Sequence, residues 1–297
     1  MTHAIVLAII ADGLLSLMDA IIKSMTPRYP TFQIAFMRFG SGLFWASLLL
    51  VFTRPGWPSR EAIFYNSTRS VLVVITATSF FFALSQLPLA DTIALSFMSP
   101  IFVVLFGALF LKEKLDGRIA IALIAGFIGM LLIAGGRVGQ GTYTDGAIYG
   151  TLACLLSALT YSLTLVLLRA RATRDALSII VWFQTLGPAL LLAPIAAYVW
   201  ISPSWEDLGR FVLVGFLGVL GHFLLAHAFA RAEAARLAPV HYTTLIWGVL
   251  FGYLFFADIP APATFLGAGL IVLGTLATHR KSPTAPTAVR DKTKEPQ

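Results

Sequence analysis

Long apolar runs, broken by short polar or proline-bearing stretches, dominate the chain, and their lengths match membrane spans. A spanning helix needs about 20 mostly apolar residues, because each adds ~1.5 Å against a ~30 Å hydrocarbon core. Ten runs meet that requirement: 4–22, 31–52, 70–87, 91–111 and 118–134, then 146–168, 177–201, 209–230, 237–257 and 262–278. Pro88-Leu89 forms a tight turn between the third and fourth, and Gly135-Gly136 supplies a natural stop for the fifth. A polar, Gly-rich stretch, 137–145, separates the two groups, and the tail, 279–297, is rich in Lys, Pro and Thr and reads as disordered.

The two groups echo each other. Val-Leu-Phe-Gly-Ala-Leu-Phe-Leu, 104–111, recurs as Val-Leu-Phe-Gly-Tyr-Leu-Phe-Phe, 249–256, with six of eight letters identical at a spacing of 145. An acid follows each copy at the same offset, Glu113 and Asp258, and the same shift lays Ala90 on Ala235 and Gly129 on Gly274. Five helices per copy is an odd number, so the second copy must run upside down relative to the first. The expected fold is therefore all-α and polytopic, with ten transmembrane helices in two inverted five-helix repeats. The repeats are 1–136 and 146–278, joined by the linker 137–145 and followed by a cytoplasmic tail, 279–297.

Composition agrees with a lipid environment. Apolar residues fill 58% of 297 positions and charged ones 12%, and the mean hydropathy is +0.85, whereas soluble domains carry about 45–50% and about 25%. The net charge of +7 is explained by topology. With a cytoplasmic N-terminus, sixteen Lys and Arg residues, Arg54, Arg60 and Arg69 among them, fall on the inner side against four outside, and Arg38 alone lies within a span. That places both termini in the cytoplasm of a multi-pass inner-membrane protein and makes nucleic acid unnecessary as a partner. The N-terminus lacks a basic n-region and Asp12 and Asp19 interrupt its apolar run, so the first helix is expected to be retained. The single cysteine, Cys154, lies in an apolar run and gives neither a disulfide framework nor a metal spacing.

The fourth and fifth runs and their link carry a family resemblance. Ala94-Leu95 through Ser99-Pro100, Val104-Leu-Phe-Gly107, Leu111-Lys-Glu113-Lys-Leu115, and Gly126 with Gly129 resemble the Pro-containing helix, Gly-containing core, Gly-Glu-Arg-Leu-like turn and Gly-rich last helix of the drug/metabolite transporter superfamily, specifically its ten-helix EamA-like exporters. The second copy departs, with Leu245 in place of Pro100 and Ala257-Asp-Ile-Pro260 in place of the turn. The resemblance covers residues 4–278 and implies an inner-membrane exporter of amino acids, other small metabolites or drugs, with a central cavity between its halves.

No His-Glu-x-x-His, Gly-x-Ser-x-Gly or Walker loop is present, and His222 and His227, offset by roughly 140° at ~100° per residue, share no metal-facing stripe. Cofactors and metals are not expected. Polar groups inside the spans are the candidate chemistry, because each needs a partner or a water-filled cavity in hydrocarbon. Asp12, Ser16 and Asp19 share one face of the first helix, Thr92, Ser96 and Ser99 one face of the fourth, and Ser157, Tyr161 and Thr164 one face of the sixth. Laying Leu14-Leu-Ser on Leu155-Leu-Ser pairs Ser16 with Ser157. Ordinary interhelical hydrogen bonding, worth about 0.6–2 kcal/mol per contact, is the competing explanation for the hydroxyls.

Asp12, near mid-helix, is the leading functional carboxylate, Asp19 pairs with Arg38, and Asp12, Asp19 and His222 are the proton-coupling candidates. His227 and His241 sit near the cytoplasmic ends. Phe81, Phe82, Tyr161, Tyr242 and Trp247 are the aromatic candidates for an amphipathic solute, of which Tyr161 lies on a polar stripe. Pro100 and Pro188 are expected hinges, and Gly107 and Gly252 packing positions, the latter in a Gly-x-x-x-Gly pair with Gly248. The reading is an exporter of small amphipathic metabolites, amino acids first, working by alternating access, with the bilayer and the solute as partners and protons as a candidate third. A drug or quaternary-amine exporter of the same fold, a membrane-embedded enzyme and a channel are the alternatives, and monomer or homodimer is left open.

Overall fold

The computed structural model describes residues 2–87, 92, 95–96, 98–113, 117–135, 146–256, 266–267, 269–270 and 273. Every described element is helical: α1 (Thr2–Met25), α2 (Thr31–Thr53), α3 (Arg60–Gln86), α4 (Ser99–Leu111), α5 (Gly117–Gly135), α6 (Ala147–Ala172), α7 (Leu177–Tyr198), α8 (Trp205–Arg231) and, after a broken entry, α9 (Thr243–Phe256). Seven described segments are long and apolar enough to cross a membrane: α1, α2, α3, α6, α7, α8 and Ala234–Phe256. Pro88-Leu89, the linker 137–145, Asp258, most of the expected span 262–278 and the tail 279–297 lie outside the described residues.

Three boundaries differ from expectation for local reasons. The third helix begins ten residues early, at Arg60, because Ser59 caps it by accepting the Ala62 N–H at 3.0 Å, with Glu61 in the first turn. Arg69, expected in a cytoplasmic connection, is therefore inside α3 and only 2% exposed. The ninth span is not continuous from 237. A single turn, Ala234–Leu237, runs into a 3₁₀ segment, Ala238–Tyr242, before α9 begins. Pro239 accounts for the break, since it has no N–H to give an α-helical ladder and sits in the first turn of the tighter helix. Pro100, expected to interrupt the fourth helix, stands instead in the first turn of α4, where its missing donor is harmless.

The helices pack in pairs across the chain. α1 lies chiefly on α8, α3 on α6 and α2 on α7. Backbones approach closely where glycine allows it: a Cβ at Gly215 of α8 would sit 2.3 Å from Ser41 Oγ on α2, and one at Gly221 2.9 Å from Leu15 on α1. Two polar ties reinforce the pairs. Asp207 at the start of α8 accepts from Arg28 at 2.9 Å and Tyr29 at 2.8 Å, in the α1–α2 connection. Correspondingly, Glu61 at the start of α3 accepts from Arg171 at the end of α6 at 2.7 Å. The ends of α3 and α8, Gln86 and Arg231, are 145 residues apart, as are those of α4 and α9, Leu111 and Phe256.

Candidate functional site

A cavity of about 250 Å³ occupies the centre of the bundle. Along α1 it is lined from Asp12 to Lys23, along α3 from Arg69 to Leu84, and along α9 from Thr244 to Phe256, so it reaches the end of the bundle where all three helices finish. At the opposite end the bundle is closed. Ala4, Ala8 and Ala11 of α1, Leu168 of α6, and Leu225 and Phe229 of α8 are at most 1% exposed and pack in one apolar cluster with Leu237 and Val240.

The helix break builds the innermost part of the cavity. It turns His241 toward α1, where the ring Nδ1 lies 3.0 Å from Asp12 Oδ1 while Thr243 donates to Asp12 Oδ2 at 3.3 Å. His241 is 6% exposed and lines the cavity, which corrects its expected place near a headgroup. Its Nε2 and the Ser16 hydroxyl are buried with no hydrogen-bond partner among the described residues.

Asp19 and Arg38 both line the cavity but form no ion pair within 4.0 Å, contrary to expectation. Arg38 instead gives Nε to Met18 Sδ at 3.2 Å and lies over the Phe39 ring, 4.6 Å from its centre. Arg69 donates to Gln184 Oε1 at 2.5 Å and to the Thr164 carbonyl at 3.3 Å. His222 faces the same space while its Nδ1 is held by the Gly218 carbonyl at 2.7 Å.

The polar stripes of α1 and α6 meet in this cavity. Asp12, Ser16 and Asp19 on one side and Ser157, Tyr161 and Thr164 on the other all line it, and a shift of 145 pairs them in order. That shift sets Ser16 opposite Tyr161, whereas the Leu-Leu-Ser alignment sets it opposite Ser157. Ser157 combines both roles considered for it, because its hydroxyl faces the cavity and also donates to the Thr76 carbonyl of α3 at 2.9 Å. Ser96 and Ser99 line the cavity too, and the Ser99 carbonyl accepts from Ser162 at 3.0 Å.

The aromatic candidates divide. Phe81 is 3% exposed and lines the cavity, with Phe80 and Phe251 beside it. Phe82 is 41% exposed and points away, as the next residue on a helix must. Tyr242 is fully buried outside the cavity lining, its ring so close to α5 that a Cβ at Gly126 would lie 2.2 Å from it. Trp247 also stands outside the lining: its indole donates to the Ile9 carbonyl at 3.2 Å and fills the space over Gly13. Both are wedges between helices.

The glycines divide as well. Gly248 and Gly252, expected to bring helices together, line the cavity. Gly107 is buried and makes room for a carboxylate, since a Cβ there would meet Glu113 Oε2 at 3.0 Å. Glu113 in turn accepts the N–H groups of Ala234 at 3.0 Å and Ala235 at 2.9 Å, capping the broken helix from the other half of the chain. Arg169 stands 3.7 Å from Glu113 and donates to the Phe229 carbonyl at 2.6 Å. Pro188 lies buried within α7.

The profile of the EamA-like transporter family matches residues 2–135 and 148–279. A pseudopaline exporter from Pseudomonas aeruginosa is 28% identical over 278 residues, covering 93% of this chain and 95% of its own. A riboflavin transporter from Rhizobium johnstonii is 29% identical over 280 residues, covering 92% and 89%. An S-adenosylmethionine uptake transporter from Rickettsia bellii is 25% identical over 262 residues, covering 87% of each chain. One solved crystal structure shares the fold at a TM-score of 0.79 and 19% identity over 93% of this chain and 96% of that one. Two family matches spanning almost the whole helical bundle establish the relationship: the chain is a multi-pass membrane protein that belongs to the EamA-like transporter family.

Proposed function

We propose that this chain is a secondary transporter that exports small amphipathic metabolites, amino acids or close relatives first, across the inner membrane by alternating access. One observation carries the proposal: a central cavity lined by carboxylates, hydroxyls and Phe rings reaches one end of the bundle while the other is closed by apolar packing. With both termini cytoplasmic, as the Lys and Arg distribution favours, the end of α1 is external and the cavity faces outward. The helix ends repeated at a spacing of 145 and the α1–α8 and α3–α6 pairing support ten spans in two inverted repeats, because a two-fold exchange of α1 with α6 and α3 with α8 reproduces the same contacts. In this scheme Pro188 and the break at Pro239 are the hinges. The Asp12–His241 contact, which joins the first repeat to that break, is the site of proton coupling.

The relatives carry chemically different solutes in opposite directions, so the solute class is assigned here from the cavity and the export direction from the resemblance to EamA-like exporters. An exporter of quaternary amines is the second reading. It is disfavoured because Asp12, the carboxylate that would meet the cation, is already engaged by His241 and Thr243, and two guanidinium groups share the space. Everted membrane vesicles test both readings. Saturable accumulation of radiolabelled L-phenylalanine above that of vesicles lacking the protein is expected. Accumulation of tetraphenylphosphonium alone transfers the assignment to the cationic class, and accumulation of neither overturns the proposal.

A further inference from the structure

Two guanidinium groups project into the cavity, and neither is closed into an ion pair within 4.0 Å among the described residues. Arg38 enters from α2 and Arg69 from α3. Their hydrogen-bond and ring partners are neutral: a thioether and a ring for Arg38, an amide and a backbone carbonyl for Arg69. Arg69 is 2% exposed. A cation held this deep in a membrane protein is costly unless an anion joins it. The acids nearby fill that role only in part, since Asp12 is held by His241 and Thr243, and Asp19, whose charge acts on Arg38 across the cavity, stays beyond ion-pairing distance of both arginines.

The remaining lining is suited to the rest of a solute. Gln184, which also lines the cavity, accepts from Arg69 and orients that guanidinium without cancelling its charge. Asp19 presents a second, opposite charge on the α1 wall, and Phe80, Phe81 and Phe251 supply an apolar surface. Planar guanidinium groups match carboxylates through paired N–H donors, whereas a neutral amide offers them only one accepting oxygen and no charge.

Resting on the reading of this cavity as the solute site, we propose that Arg38 and Arg69 form a carboxylate-binding subsite, which makes the solute an amphipathic carboxylic acid. A zwitterionic amino acid with an apolar side chain fits most fully: its carboxylate goes to the arginines, its ammonium to Asp19 and its side chain to the Phe wall. Both arginines come from the first half of the chain and Gln184 from the second, so Arg69 links the bound carboxylate to the second half.

Thermal unfolding of the purified full-length protein in detergent, with three matched probes, tests this. Saturating L-phenylalanine and 3-phenylpropionate should each raise the midpoint by about 2–4 °C, and L-phenylalaninamide, which lacks only the carboxylate, should not. Arg38→Gln and Arg69→Gln should abolish the shift. Arg38→Lys, which keeps the charge and loses the fork, should raise the half-saturating concentration about tenfold and guards against a folding defect in the Gln variants. Equal shifts with acid and amide, no shift with any probe, or an undiminished shift in both Gln variants would overturn the subsite. Vesicles that concentrate tetraphenylphosphonium would then leave a transporter whose solute is not a carboxylate, and vesicles that concentrate nothing would remove both readings together.

Discussion

Where α1 begins, Ala4, Ala8 and Ala11 are at most 1% exposed against the end of α8 and the segment from Ala234 onward; where α1 finishes, Lys23 and Phe256 border a cavity. The same helices run through both ends. The closed end is made of small side chains in full contact, stitched by one buried carboxylate, Glu113, that caps the broken helix. At the cavity end Asp19, Arg38 and Arg69 form no ion pair within 4.0 Å among the described residues, and the two arginines are held by neutral partners. The break at Ala238–Tyr242 lies between them, capped from the closed side and presenting His241 to the cavity. Close apolar packing is thus concentrated at one end and charged groups without an ion-pair partner among the described residues at the other.

Disturbing the closed end should have the largest effect. Gly107→Leu displaces Glu113 and crowds Ala234, and overpacking together with an uncapped helix predicts a loss of roughly 3 kcal/mol, read as aggregation during size-exclusion chromatography. A well-folded Gly107→Leu that only changed solute preference would contradict the division. Glu113→Gln keeps the shape and loses the charge at the helix start, so a drop of about 1–2 kcal/mol in thermal stability is expected, with the solute's half-saturating concentration unchanged.

At the cavity end the balance reverses. Asp12→Asn should leave yield and midpoint near wild type while lowering vesicle transport by about tenfold or more and removing its dependence on an imposed pH gradient. Full, gradient-dependent transport by this variant would sink the coupling role. The smallest contrast is between neighbours on α3: Phe81→Ala should weaken solute binding, whereas Phe82→Ala, on the exposed face, should stay within about 0.5 kcal/mol of wild type in stability and leave transport unchanged.

Much of this site was legible in the sequence, because spacing alone puts Asp12, Ser16 and Asp19, and Ser157, Tyr161 and Thr164, on single helical faces. Three residues were not. Arg69 was hidden because polar letters from Arg60 to Arg69 look like a loop until the Ser59 cap is recognised. His241 was misplaced because hydropathy reads straight through Pro239, the one signal of the break. Gln184 lies in an apolar run, and nothing local reveals that its partner is an arginine 115 residues away. The roles of Trp247 and Tyr242 depend on Gly13 and Gly126 across helix interfaces, which single-chain periodicity cannot pair.

The central claim, a cavity reached from one side at a time, is most directly tested by labelling Ala20→Cys, which lines the cavity, in a Cys154→Ser background with a membrane-impermeant maleimide. Fast labelling in right-side-out vesicles, slow labelling in everted ones, and slowing of the former by L-phenylalanine are the predicted results. Equal labelling from both sides would mean an open channel and contradict the account.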